Sequence, residues 1–203
     1  NLKWNPKGYG LLVEMALPRY SYRMYSMPVA GQWLSYFNEQ CRFVKCLRDR
    51  IKKLLIIRLY HTDYGWCQFE RWKDITPDLF INGGKRKLGS LIRKSRVYIS
   101  TYNATTFLES LYLNIPTIIF WNPVYFEIRE SATPYFEKLK EAGIFHDTPE
   151  SAAQKLIEIW DNIENWWYDK KVQIAKNEFC YKYSRISENM LKNLKEIIKK
   201  ITN

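Results

Sequence analysis

The sequence predicts an α/β fold: a Rossmann-like doubly wound parallel sheet with helices on both faces and extra helices towards the C-terminal end. Three observations carry that expectation. Short β-favouring apolar runs alternate with stretches of helical period along the whole chain, with no internal repeat and no long flexible linker. Residues 97–121 (VYISTYNATTFLESLYLNIPTIIFW) read as strand, tight polar turn, short helix and strand, one βαβ unit. Polar loops directly follow the apolar runs, as they do at the carboxyl rim of a parallel sheet.

Taken in order, residues 9–17 (YGLLVEMAL) are almost wholly apolar and form a central first strand. Residues 18–23 (PRYSYR) follow as a donor-rich loop, facing an active-site cleft or lying as ordinary surface. Between residues 32 and 53, Trp33, Leu34, Phe37, Cys41, Val44 and Leu47 recur at helical spacing, which makes an amphipathic helix with a basic polar side. Residues 54–60 (LLIIRLY) are a second buried strand, followed by the loop His61-Thr62-Asp63-Tyr64-Gly65-Trp66. Residues 70–74 form a short helix or turn, and residues 79–81 a third strand closed by Asn82-Gly83-Gly84. A helix then leads from Lys85, Arg86 and Lys87 to about Ser95, packing through Leu88, Leu91 and Ile92.

Residues 97–99 are the next strand, ended by small polar residues. Thr105 or Thr106 caps the helix that follows, and Glu109 lies in its first turn, where a carboxylate suits the dipole. Pro116 stops that helix and residues 117–120 form a buried strand. Pro134 opens a fresh helix, residues 144–146 are a short strand, and Thr148-Pro149 start a helix buried through Ala152, Leu156, Ile159, Trp160 and Ile163. Residues 164–203 are a helical extension of the same domain. Its last helix, over residues 184–201, puts Ile186, Met190, Leu191, Leu194, Ile197, Ile198 and Ile201 on one stripe, with Lys192, Lys195, Lys199 and Lys200 off it. Packing on its own domain is the expected arrangement; a partner domain or a membrane are the alternatives.

At 203 residues, 46% hydrophobic and 16% aromatic, the chain can bury one sizeable core. Its net charge of +11 suits a solvated basic surface, phosphate-rich ligands, nucleic acid or an anionic membrane. Cys41, Cys46, Cys67 and Cys180 form no CxxC pair and no Cys/His cluster with metal spacing, so no metal site is expected. Reduced, partly buried thiols and the lack of a long apolar run or signal peptide give a cytoplasmic expectation. The glycine fingerprint G-x-G-x-x-G is absent, which argues against a nicotinamide or flavin enzyme.

The run STYNATTFLESLYLNIPTI, residues 100–118, resembles the donor-nucleotide half of GT-B glycosyltransferases. More narrowly, it resembles a family of transferases found in spirochaete and other bacterial O-antigen gene clusters. Further pieces fit that family: Arg58-Leu59-Tyr60 with Asp63-Tyr64-Gly65-Trp66, Phe120-Trp121-Asn122-Pro123, and Gly143-Ile144-Phe145-His146-Asp147-Thr148-Pro149. The likeness implies one nucleotide-sugar-binding domain over residues 1–203, the C-terminal half of a longer protein. An opening without Met that enters an apolar strand at once gives the same expectation. A more distant likeness is to the CDP-alcohol phosphotransferases of teichoic-acid synthesis.

The resemblance also implies roles. Ser100, Thr101, Asn103, Thr105 and Thr106 offer donors to phosphates at a strand-to-helix corner, Thr105 and Thr106 foremost. Glu109, about one turn on, accepts from the ribose diol, and Trp121 and Asn122 edge the base slot. Read from the residues rather than the resemblance, Lys85 and Arg86, behind two glycines, either meet a diphosphate or, the plainer reading, belong to a solvated charge run. Arg19 is preferred over Arg58, Lys85 and Arg86 as the cation at the leaving phosphate. His61 and Asp63 act as acid, base or acceptor ligand, although a capping loop with a structural histidine is the preferred plain reading. The plain reading of Thr105 and Glu109 is a helix cap and a solvated carboxylate. The expected activity is glycosyl transfer from a nucleotide sugar to a glycan or lipid-linked acceptor, in assembly of a surface polysaccharide such as O-antigen or capsule. The donor is a substrate, no cofactor is expected, and the chain alone is expected to be inactive. The alternatives are a CDP-alcohol phosphotransferase and a non-enzymatic basic module for nucleic acid or membrane. The chain lacks the interleaved aromatic motifs of RNA binders, so nucleic acid is not expected.

Overall fold

The computed structural model describes residues 4–20, 31–185 and 189–202. In chain order its elements are β1 (Tyr9–Val13), α1 (Gln32–Cys46), α2 (Asp49–Lys52), β2 (Leu55–Arg58), α3 (Gln68–Ile75), β3 (Phe80–Asn82), α4 (Leu88–Ile92) and β4 (Ser95–Ser100). They continue as α5 (Thr105–Tyr112), β5 (Thr117–Phe120), α6 (Thr133–Glu141), β6 (Phe145–His146), α7 (Pro149–Ile159), α8 (Ile163–Trp167), α9 (Lys170–Tyr183) and α10 (Met190–Thr202). A short 3-10 turn, Glu130–Ala132, precedes α6.

All described strands pair in parallel, in the order β3-β2-β1-β4-β5-β6. This is the doubly wound α/β arrangement expected from the alternating pattern. Successive strand residues point to opposite faces, and β5 displays both. Its Phe120 stacks on Phe43 of α1, ring centroids 4.9 Å apart, while Thr117 donates to Ser110 of α5 at 3.0 Å. Accordingly α1 and α7 pack together on one face, and α5, α6 and α9 on the other. Central strands buried on both sides read as continuous apolar runs, and Leu11, Leu12 and Val13 are fully buried.

The element edges differ from expectation in several places. β1 ends at Val13 rather than residue 17, because its neighbours β2 and β4 end in the same row; Val13 pairs with Arg58 on one side and Ser100 on the other. β3 lies one residue later than expected. The helix expected over residues 32–53 breaks at Leu47, whose backbone is extended and whose side chain is buried, giving α1 and α2. α4 is only Leu88–Ile92; Ser95 opens β4 and its hydroxyl donates back to Ile92 O at 2.7 Å. Thr148 does cap α7, accepting from Ser151 N at 3.2 Å, with Pro149 at the first position. α5 is different: its cap position is Ala104, with no side-chain cap bond, so Thr105 and Thr106 are its first two residues. Glu109 is therefore the fifth residue of α5, beyond the first turn.

The last helix departs furthest. α10 begins at Met190, and its apolar stripe does not bury itself against the domain: Met190, Leu191, Leu194, Ile197, Ile198 and Ile201 are 51–78% exposed. Ile186 lies outside the described residues. No helix among the described residues is long and apolar enough to cross a membrane.

Candidate functional site

β1 leads to α1 on one face and β4 leads to α5 on the other. The chain therefore parts at the carboxyl ends of these two adjacent strands, where the strand order reverses, the position at which open α/β sheets bind ligands. A relay of hydrogen bonds joins the elements there. Met15 N donates to the Tyr36 hydroxyl at 2.9 Å, Tyr36 lies 2.7 Å from Thr101 Oγ1, and Thr101 Oγ1 donates to Val13 O at 2.8 Å. With the Thr101 proton committed to Val13, Tyr36 is the donor of the middle bond. This stitches β1, β4 and α1 together at the point where they diverge.

That relay sorts the hydroxyls of the β4–α5 corner. Thr101 is buried and committed to the relay, and Ser100, also buried, donates to Tyr102 O at 3.2 Å. Both serve the sheet rather than a phosphate. Asn103 is half-buried and Thr105 exposed at the start of α5. Thr106 Oγ1 donates to the Tyr102 hydroxyl at 3.2 Å.

Tyr102 feels groups from two elements. Burial raises its phenol, while the Thr106 bond and the Arg58 cation pull it back, and Tyr60 and Glu109 push it up. Arg58 and Tyr60 come from the end of β2, and Thr106 and Glu109 from α5. Arg58 Nη2 donates to Gly84 O at 3.3 Å and to Arg86 O at 3.4 Å, while its buried Nε has no partner. The loop carrying those carbonyls is pressed close: at Gly84, with φ of 77°, a Cβ would lie 2.7 Å from Leu59 O and from His61 N. Tyr98 is fully buried, and burial holds its phenol well above the usual range, with the Thr106 and Ser100 hydroxyls pulling it back.

A second unused polar group ends β1. Glu14 is buried; its Oε1 accepts from Trp72 Nε1 at 2.9 Å and its Oε2 has no partner. Burial pushes its carboxyl up to about 8, so it holds its proton at neutral pH.

The remaining expected residues are scattered. Arg19 folds onto the β2–α3 loop, its guanidinium 5.6 Å from the Trp66 ring and donating to Gly65 O at 3.5 Å. Ser21, Tyr22 and Arg23 lie outside the described residues. Asp63 accepts from the N–H groups of Cys67 and Gln68, both at 2.8 Å. Burial would raise its carboxyl, but these bonds, together with the Gln68 side chain and the Trp66 N–H, hold it below the usual value, as a capping carboxylate. His61 is exposed and packs on Tyr60, ring centroids 4.4 Å apart. His61, Asp63, Tyr60 and Gly83 line a depression of about 370 Å³ outside β2. Lys85 and Arg86 are exposed, with the Arg86 charge felt by the Tyr9 phenol at the opening of β1. Trp121 is 1% exposed, enclosed by Phe126, Phe136 and Phe145, and so forms core rather than the edge of a slot. Asn122 Nδ2 donates to Glu39 of α1 at 2.8 Å, fastening the β5 loop to the opposite helix layer.

Sequence reasoning placed Thr105, Thr106 and Glu109 at this rim and weighed Arg58 without preferring it. It passed over Tyr102, Tyr98, Tyr36 and Glu14. Glu14 had a legible signal, a lone acid inside an apolar run of nine; Tyr102 sat unremarked inside STYN. A larger groove, about 650 Å³ between α6 and α9, is lined by Pro134, Tyr135, Lys138, Asn177, Glu178 and Tyr181 and is crossed by the Lys138–Glu178 ion pair. None of the groups gathered at Tyr102 lines it. No group of three or more His, Cys, Asp or Glu among the described residues has the arrangement of a metal site.

A family model described as LIC12162 family transferase matches residues 1–198. No curated protein matches the chain.

Proposed function

The chain belongs to the LIC12162 family of transferases, and from that premise we propose that it is the donor-nucleotide-binding half of a glycosyltransferase of GT-B type. The reading places it in assembly of a surface polysaccharide, O-antigen or capsule. One observation supports it above the rest: at the carboxyl ends of β1 and β4 the Tyr102 hydroxyl, in the loop before α5, accepts from Thr106 of α5 and feels the charges of Arg58 at the end of β2 and of Glu109 in α5.

Each part has a chemical task there. The free N–H groups opening α5, with Thr105, Thr106 and Asn103, receive the donor's phosphates. Glu109, exposed four residues after Thr105, accepts from the ribose diol. In transfer, the bond from the sugar's anomeric carbon to the phosphate oxygen breaks. The acceptor hydroxyl oxygen bonds to that carbon and gives its proton to a base. The electron pair stays on the leaving phosphate, where charge grows; Arg58, whose charge reaches Tyr102, is the cation for that task, while Arg19 folds onto the Trp66 ring. The acceptor, a glycan or lipid-linked glycan, approaches from the other half of a two-domain enzyme, past the depression lined by His61 and Asp63. The nucleotide sugar is a substrate and no further cofactor is invoked.

Calorimetric titration with UDP, GDP and CDP tests the reading. One nucleoside diphosphate is expected to bind, and Thr105→Ala combined with Glu109→Ala is expected to abolish that binding. Unchanged affinity in the double variant refutes the site. A CDP-alcohol phosphotransferase would share the pocket; the mass added to an extended acceptor separates the two reactions.

A further inference from the structure

α10 carries a surface that the donor site does not use. At 100° per residue, Met190, Leu191, Leu194, Ile197, Ile198 and Ile201 fall within one arc of about 120°. These side chains are 51–78% exposed. A contiguous aliphatic stripe of this size on an otherwise well-packed domain marks an interaction surface. Its flanks are cationic: on the helical wheel Lys195 borders the Leu191 edge, and Lys200 stands towards the Ile197 edge. Lys192, Lys199 and the lone acid Glu196 occupy the polar side. Four lysines against one glutamate give the helix an excess of three positive charges, on a chain whose net charge is +11.

We propose that α10 docks in the plane of an anionic lipid surface, with its aliphatic stripe at the headgroup–acyl boundary and its lysines on the headgroups. The charge pattern selects this occupant. Long lysine side chains beside an apolar stripe can lay their stems along hydrocarbon and keep their ammonium groups at the anionic surface. A second copy of α10 is a poor match, because it would bring the same cationic flanks together. In addition, 13 residues make less than two heptads, where a coiled coil needs about three or four. The inference stands on α10 alone and does not depend on the donor reading. If both hold, the transferase sits where a lipid-linked acceptor is presented.

Flotation of the whole chain with vesicles tests it. Binding is expected to phosphatidylcholine vesicles containing about one-third phosphatidylglycerol, to be at least about tenfold weaker on phosphatidylcholine alone, and to weaken as salt rises. Leu194→Glu with Ile197→Glu should remove binding while leaving the melting temperature in place, since the stripe is already exposed. Ile201→Trp should show a blue-shifted emission on the anionic vesicles. The proposal is overturned by no vesicle binding, by equal binding to neutral vesicles, or by binding that survives the double glutamate variant. A concentration-dependent dimer that the same variant dissolves, without vesicle binding, would assign the stripe to a second copy instead.

Discussion

Glu14 shows how a single residue can set a property of the whole fold. Its neighbours give the carboxyl one indole donor and leave the second oxygen without a partner, so the neutral acid is the form the core accepts. The folded group titrates at about 8, against an ordinary value of 4.5. A raised carboxyl favours the folded state fully below pH 4.5, and that advantage is lost as pH rises through about 8. Stability should therefore fall by up to about 1.4 kcal/mol per pH unit across this window relative to Glu14→Gln, which cannot ionise. Urea titrations of both proteins at acidic and mildly alkaline pH read the difference. A wild-type curve parallel to that of the glutamine variant would mean that Glu14 is charged in the fold.

At the scale of elements, the turn from α5 to β5 rests on Asn114. It adopts φ of 55°, a region that asparagine tolerates better than most residues, and Pro116 prevents the helix from continuing. Its Oδ1 accepts from Lys176 Nζ of α9 at 2.7 Å and from Trp167 Nε1 of α8 at 3.1 Å. Lys176 is buried, and burial lowers its ammonium. One amide oxygen thus fastens the C-terminal helices to the sheet and satisfies a buried cation. Asn114→Ala should cost about 2–4 kcal/mol, because the lysine is left without its acceptor and the backbone is strained. A urea midpoint within error of wild type would show that this contact is dispensable. The exposed ion pairs Arg42–Glu150 and Arg50–Asp161, though bidentate, should matter far less.

The whole molecule is two halves of a sheet meeting at β1 and β4, and the candidate ligand would join them. Arg58 belongs to the first half and α5 to the second, so an occupied site links parts of the chain that part company at the carboxyl ends of β1 and β4. Nucleoside diphosphates should accordingly raise the melting temperature more than the matching monophosphates. Arg58→Gln should shrink that difference with little change in the apo melting temperature; a difference that survives the substitution would remove Arg58 from the phosphate site.

The alternation of apolar runs and helical stripes determined the α/β class, the parallel sheet and the Thr148-Pro149 helix start, because period and capping are local properties of sequence. Tertiary structure decided which groups are available. Thr101 is withdrawn by partners at positions 13 and 36, Trp121 by rings at 126, 136 and 145, and Arg58 is brought to Tyr102 across β1. It also left the α10 stripe exposed, although its spacing alone looks like an ordinary buried face. A periodic pattern says that a face is apolar; only the path of the distant chain says what covers it.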